Sequence, residues 1–266
     1  MADAVGTAKA GFGSVVGSEW IKIRTVKSTF WTLLAGIIVT IGLSVLLALA
    51  FTSAWDDMDA QDRADFDAAG FGLVGINFGM VAFGVLGVLI ITGEYATGMI
   101  RTSLTAMPRR TELMAAKALV LGAVVLVVGL VASFASFLLS QLFFQSKDID
   151  ASLGDSGILR AVIGGGLYLT LIALFSLGIG ALLRHTAGAV TTVLGLLFVL
   201  PIIGNFLPGD WGDTLRRYLP SNAGGAIMSA HKAENSLDPW TGFGVFALYT
   251  AVVLVAAVVL FNKRDA

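Results

Sequence analysis

Cysteine is missing from the 266-residue chain, which removes disulfide frameworks, thiolate metal sites and thiol chemistry in one step. Charge is scarce as well. Only 13% of the residues are Asp, Glu, Lys or Arg, against about 25% in an average soluble domain. The net charge is −1, so no overall field draws the chain to nucleic acid, and no nucleic-acid partner is expected. Histidine occurs twice, as His185 and His231, both read as solvated loop residues. The Gly-x-x-x-x-Gly-Lys-Ser/Thr loop, His-Glu-x-x-His and Gly-x-Ser-x-Gly are all absent. The sequence therefore offers no site for P-loop nucleotide binding, zinc-dependent hydrolysis or an elbow-serine nucleophile. No metal, cofactor or catalytic residue is expected in this chain.

What is abundant is apolar surface. Hydrophobic residues make up 56% of the chain and the mean hydropathy is +0.87. A soluble fold of this length has too little interior to hide so much, so lipid is the expected solvent. Six runs are long enough to cross a bilayer, which takes roughly 20 residues. They are Thr29–Phe51, Phe71–Thr92, Ala118–Phe144, Ala161–Leu183, Gly188–Leu207 and Thr241–Phe261. None shows the alternation of a membrane barrel, so all are expected to be helices. Ala48-Leu49-Ala50 has the form of a signal-peptide cleavage site, but its apolar run is too long and starts too late for one. Residues 1–266 are read as one membrane domain, with 1–28 cytosolic or interfacial and 29–261 the six-span bundle.

The few charges are unevenly placed. With the N-terminus inside, the inner segments hold 11 Lys and Arg against five acids, and the outer segments six against 13. The positive-inside rule therefore selects an N-in, C-in orientation. Four polar segments lie outside the spans. In the segment from Ser14 to Thr29, Val16, Trp20, Ile23, Val26 or Lys27, and Phe30 recur at helical spacing, which predicts a helix lying in the inner interface, its site residues Glu19, Trp20, Lys22, Arg24 and Lys27, with Lys22 and Lys27 at its flanks and Trp20 at headgroup level. The outer loop from Thr52 to Gly70 carries six aspartates but lacks the Gly and Glu of a calcium-binding EF-hand loop, and reads as a solvated acidic loop. The inner loop from Gly93 to Lys117 contains helix formers, a Met-Pro break and a basic pair, and predicts a short helix from Tyr95 to about Met107 with Glu94 at its entry. The outer segment from Pro208 to Trp240 predicts two short re-entrant helices, Leu215–Pro220 and Asn222–Ala230, divided at Pro220 and capped by Ser221 or Asn222.

Within the spans there is no mid-membrane Asp, Glu, Lys or Arg, which disfavours a proton- or sodium-coupled carrier. Polar content is limited to Asn77, Gln141, Asn205 and scattered hydroxyls, and no filter or charged ring of an ion channel is present. Such a path suits a hydrophobic or amphiphilic cargo. Small residues such as Gly75, Gly79, Gly84 and Gly87 permit close helix crossings.

Three stretches carry a resemblance to a known family: SEWIKIRTVKSTFW before the first span, GEYATGMIRTSLTAMPRR at the exit of the second, and RYLPSNAGGAIM before the last. The chain resembles the membrane subunits of type-2 ABC exporters, in particular the short six-span permeases common in actinobacteria; Met99 stands where relatives often carry Thr. The resemblance implies an all-α integral membrane protein with an N-terminal interfacial helix, a cytosolic coupling helix after span two and short outer helices before span six. It implies a second permease subunit, two copies of a separate ATPase that bind ATP and Mg, and a place in the cell membrane of a bacterium. It makes Glu94, Tyr95, Gly98, Arg101 and Thr102 the candidates for ATPase coupling, with Arg184 and His185 a lesser contact, and gives Leu219, Pro220, Ser221, Gly224 and Gly225 to the outer exit. A secondary carrier or channel and a non-transporting anchor or sensor partner are the competing classes.

Overall fold

The structure, a computed structural model, describes residues 11–106, 109–230 and 235–263. The described residues contain no strand. The first described helix is α1 (Phe12–Thr25); the backbone then turns at Val26, whose extended conformation separates α1 from α2 (Lys27–Ala54). Two short helices, α3 (Ala60–Ala64) and α4 (Ala68–Gly72), follow in the acidic loop, and Asp67 caps α4 by accepting from the Ala69 amide at 3.0 Å. Next come α5 (Ile76–Ala96), α6 (Met99–Ala106), α7 (Arg110–Phe144) and α8 (Ile158–Leu183). The fifth span is broken into α9 (Thr186–Leu194), a π-helical turn (Gly195–Val199) and α10 (Leu200–Gly204). The chain closes with α11 (Gly209–Tyr218), α12 (Pro220–Gly225) and α13 (Pro239–Lys263).

Among the described residues, six helices are long and apolar enough to cross a membrane: Lys27–Asp57, Ala68–Ala96, Arg110–Lys147, Ile158–Leu183, Thr186–Gly204 and Pro239–Lys263. They correspond to the six expected spans. α7 is the longest at 35 residues, roughly 52 Å at 1.5 Å per residue. That exceeds the ~30 Å of bilayer hydrocarbon, so the Arg110–Lys117 end of α7 can extend past the apolar layer and pack against α1. The π turn ends two residues before Pro201. Proline has no N–H for the helix ladder and its ring clashes with the carbonyl four residues back, so a widened turn there has a local cause.

The bundle is built around α8, which packs against α5, α7 and α13, while α2 packs against α5 and α7. Small residues allow close crossings. A Cβ added to Gly87 would stand 2.1 Å from the Ala173 carbonyl oxygen, so α5 and α8 meet backbone to backbone and only glycine fits there. With no water in lipid to drive side-chain burial between helices, this close contact is the main source of attraction along that seam.

Several expectations are corrected. The loop helix, described over Met99–Ala106, starts at Met99 and not at Tyr95: α5 continues through Tyr95 to Ala96, and Gly98 then breaks the chain in the left-handed region (φ 71°). Met107, Pro108 and His231 lie outside the described residues. Glu94 is therefore in the last turn of α5 rather than at the entry of the loop helix. The buried stripe of α1 is Val15, Glu19 and Ile23, one helical turn apart, whereas Trp20 is 46% exposed. The first helix of the segment before α13 starts at Gly209, earlier than expected. The second starts at Pro220, with Leu219 as its extended N-cap and no side-chain cap from Ser221 or Asn222. Proline suits that first helical position because its missing N–H has no partner there anyway.

Candidate functional site: a buried ion cluster joining four helices

At the end of the bundle that carries α1 and α6, four elements converge on one set of charges. Lys117 on α7 is 1% exposed, and Glu19 on α1 and Glu94 on α5 are each 3% exposed. The Lys117 ammonium donates to Glu19 Oε2 at 2.8 Å and to Glu94 Oε1 at 2.5 Å. Lys22, one turn beyond Glu19 on α1, donates to Glu19 Oε1 at 2.7 Å, to Glu94 Oε1 at 2.8 Å and to the Ser103 hydroxyl on α6 at 3.2 Å. Two carboxylates and two ammoniums thus cancel, which is the condition for holding charge out of water. Removing either carboxylate or the buried lysine would leave an uncompensated charge in a poorly solvated place.

Lys22 is the only member with substantial access to water, its side chain 26% exposed. Burial alone would lower its pKa. The hydrogen bonds and charges of Glu19 and Glu94 outweigh that effect and raise it above the ordinary lysine value. A raised ammonium pKa stabilises the fold at every pH below the ordinary lysine value, and the contribution fades only as pH climbs through the higher folded value. Lys22 therefore keeps its charge, and its bonds to both carboxylates, at physiological pH.

α6 hangs from this cluster. Ile100 is buried, Leu104 packs on the core and Ser103 bonds Lys22, placing one helical face inward. Met99, Arg101, Thr102 and Thr105 form the exposed face. The helix thus presents Arg101 and Thr102 outward while its far side is fixed to α1. Arg184, in the left-handed cap of α8, puts its guanidinium 5.2 Å from the centre of the Tyr95 ring. The exit of span two and the turn after span four meet at this contact. His185 is more than a solvated loop residue: its Nδ1 accepts from the Gly188 amide at 3.2 Å and caps α9. On the same end, Arg110 donates to the Phe261 carbonyl at 2.8 Å, tying α7 to the end of α13. Trp20, Arg24 and Lys27 are exposed, with the Arg24 guanidinium 5.9 Å from the Trp20 ring.

A cavity of about 610 Å³ opens beside the cluster, between α1, α2, α5 and α6. Glu19, Lys22 and Glu94 form part of its wall; Val26, Leu89 and Ile90 are among its apolar lining.

At the opposite end, α12 is wedged into the bundle. A Cβ on Gly224 would lie 2.5 Å from Phe246 and 2.8 Å from Tyr168, so the glycine is required for α12 to sit between α8 and α13. The Tyr168 hydroxyl lies 3.4 Å from the Ser221 carbonyl and 3.3 Å from Met80 Sδ. Leu219 and Ser221 are buried, and Gly225 meets only the tip of Met228.

Sequence reasoning found Glu94, Glu19 and Lys22 but not Lys117 or Ser103 as their partners. Lys117 is flanked on its helix face by Leu113, Val120 and Leu121, and a lysine on an apolar stripe at i−4, i+3 and i+4 is a readable sign of a buried partner. Glu19, between Val15 and Ile23 at i−4 and i+4, is its counterpart.

Comparison with protein-family profiles matches residues 15–204 to the family described as ABC-2 family transporter protein. No curated protein matches the chain. The matched region covers more than half of the chain; every member of the ion cluster lies within it, and α11, α12 and α13 lie beyond it. With six apolar helices and this match, the chain is a multi-pass membrane protein that belongs to the ABC-2 transporter family, the membrane subunits of ABC transporters.

Proposed function

We propose that the chain forms the translocation pathway of an ATP-driven exporter in a bacterial plasma membrane, with ATP and Mg bound and hydrolysed by a separate subunit that docks on α6. The observation that carries this reading is the ion cluster. It fastens the exposed helix α6, through Lys22 and Ser103, to α1, α5 and α7 at once. A motor pushing on Arg101 and Thr102 would move those helices together rather than bending one loop. A second permease subunit completes the pathway, two ATPases serve the pair, and the cargo is hydrophobic or amphiphilic: a drug, antibiotic, peptide or lipid.

Two experiments test this reading. The chain purified alone should show no ATPase activity, and it should copurify with an ABC ATPase encoded beside it, the complex hydrolysing ATP. Hydrolysis by the isolated chain, or no association with that ATPase, would remove the subunit reading. The reading also places α1, α6 and the C-terminus in the cytosol. A reporter fused after Ala266 should accordingly be active only on the cytosolic side, and activity outside would reverse the orientation.

A further inference from the structure

At the end of the bundle away from the ion cluster lies a second cavity, about 550 Å³, within the 300–1,000 Å³ typical of small-molecule sites. Its wall brings together Asn77 of α5, Asn205 just past α10, Arg216 and Arg217 of α11, Ser221 of α12 and Asp67 before α4. The two asparagines are two of the three amide side chains of the expected spans, and both are exposed. An exposed amide facing hydrocarbon would lose its hydrogen bonds, whereas one facing a polar cavity keeps them.

The unsatisfied groups of this wall point to the sign of the ligand. Arg217 Nε is buried without a hydrogen-bond partner, and so is the Ser221 hydroxyl. Arg217 makes one side-chain bond, from Nη2 to Asn235 Oδ1 at 2.8 Å, and it has no carboxylate partner among the described residues. Arg216 differs: it pairs with Asp213. Guanidinium carries donors only, so the group that would satisfy Arg217 is an acceptor. Buried polar groups are normally paired, and an orphaned donor beside a cavity calls for a partner that enters it. Asp67, the acidic residue of the wall, already has Oδ1 engaged by the Ala69 amide.

We infer that this cavity binds an oxyanion, a phosphate or carboxylate group carried by a small solute or by an amphiphile's headgroup. Arg217 is the charge that holds it, and Ser221, Asn77 and Asn205 are the neutral hydrogen-bonding wall. Arg217 is suited to the task because its planar fork bonds two oxygens of one anionic group. The inference stands apart from ATPase coupling, since binding here needs no motor.

The test uses the full chain in phosphatidylcholine nanodiscs, titrated calorimetrically with inorganic phosphate in one arm and short-chain phosphatidylglycerol in the other. Short-chain phosphatidylcholine is the control. Saturable binding is expected in at least one arm. Losing a charge-assisted bond should weaken it by about tenfold or more in Arg217→Gln and less in Arg217→Lys. Asn205→Ala, at an exposed position that should not disturb folding, should weaken it several-fold. Arg63→Gln, outside the cavity, should leave it unchanged. Binding of both probes assigns the site to the anionic group itself, and binding of phosphatidylglycerol alone assigns it to an amphiphile. No binding of either, or equal binding by wild type, Arg217→Gln and Asn205→Ala, overturns the inference.

Discussion

Lys117→Met should lower the thermal stability of the purified chain more than any other single change in the ion cluster. With Lys117 gone, Glu19 and Glu94 share Lys22 alone, and a net negative charge is left beside α7 where water hardly reaches. Breaking a buried pair by removing one partner typically costs about 3–5 kcal/mol. Lys22→Met should do less damage, because Lys22 is partly solvated and Lys117 would still neutralise the more deeply buried side. Charge balance makes a sharper forecast. Glu19→Gln combined with Lys117→Met restores one carboxylate to one ammonium and should recover part of the loss. The unfolding midpoint in detergent, followed by monodispersity on heating, reads all three variants. A double variant worse than Lys117→Met alone would mean that packing volume, not charge balance, holds this junction together.

The spans were legible because lipid imposes a simple rule: about twenty apolar residues, helical, with every backbone group satisfied internally. That rule locates Ala118–Phe144 well but says nothing of the eight residues by which α7 continues toward Arg110, because beyond the apolar layer length is set by tertiary contacts. The break between α5 and α6 was readable in kind but misplaced. Tyr95 and Ala96 are ordinary helix residues, and the interruption waits for Gly98, which alone there takes a positive φ without strain. Glu94 was expected at the entry of the loop helix and lies instead in the last turn of α5. Its environment depends on Lys117, 23 residues away, and on Glu19 and Lys22 across the bundle. Periodicity within one helix can mark a charged residue on an apolar face. It cannot name the charge it meets. The same limit hid the cavity at the other end, where Asn77 and Asn205 are 128 positions apart and adjoin only after the bundle closes.

Gly98→Val should leave the permease assembled with its ATPase and yet reduce transport and cargo-stimulated hydrolysis several-fold. The glycine is in the left-handed region, and a Cβ placed on it would meet nothing within 4 Å. The penalty is therefore conformational rather than steric, about 1–2 kcal/mol for an ordinary residue and worst for a β-branched one. That strain is local to the α5–α6 turn, too small to unfold six packed spans but large enough to shift where α6 sits. If α6 carries the motor's stroke, a shifted α6 lowers turnover without dissolving the complex. Gly98→Asn provides the control, since asparagine tolerates the left-handed region and should behave nearly as wild type. Arg101→Glu, on the exposed face, should act on the other side of the joint and weaken copurification with the ATPase. Glu94→Ala should resemble Gly98→Val in transport but add a loss of thermal stability, because it also leaves Lys117 with one carboxylate instead of two. The comparison is made at matched expression, with copurified ATPase and transport measured on the same membranes. Equal transport by Gly98→Val, Gly98→Asn and wild type would make α6 a passive connection, and the stroke would then have to enter through the Arg184–Tyr95 contact beside it.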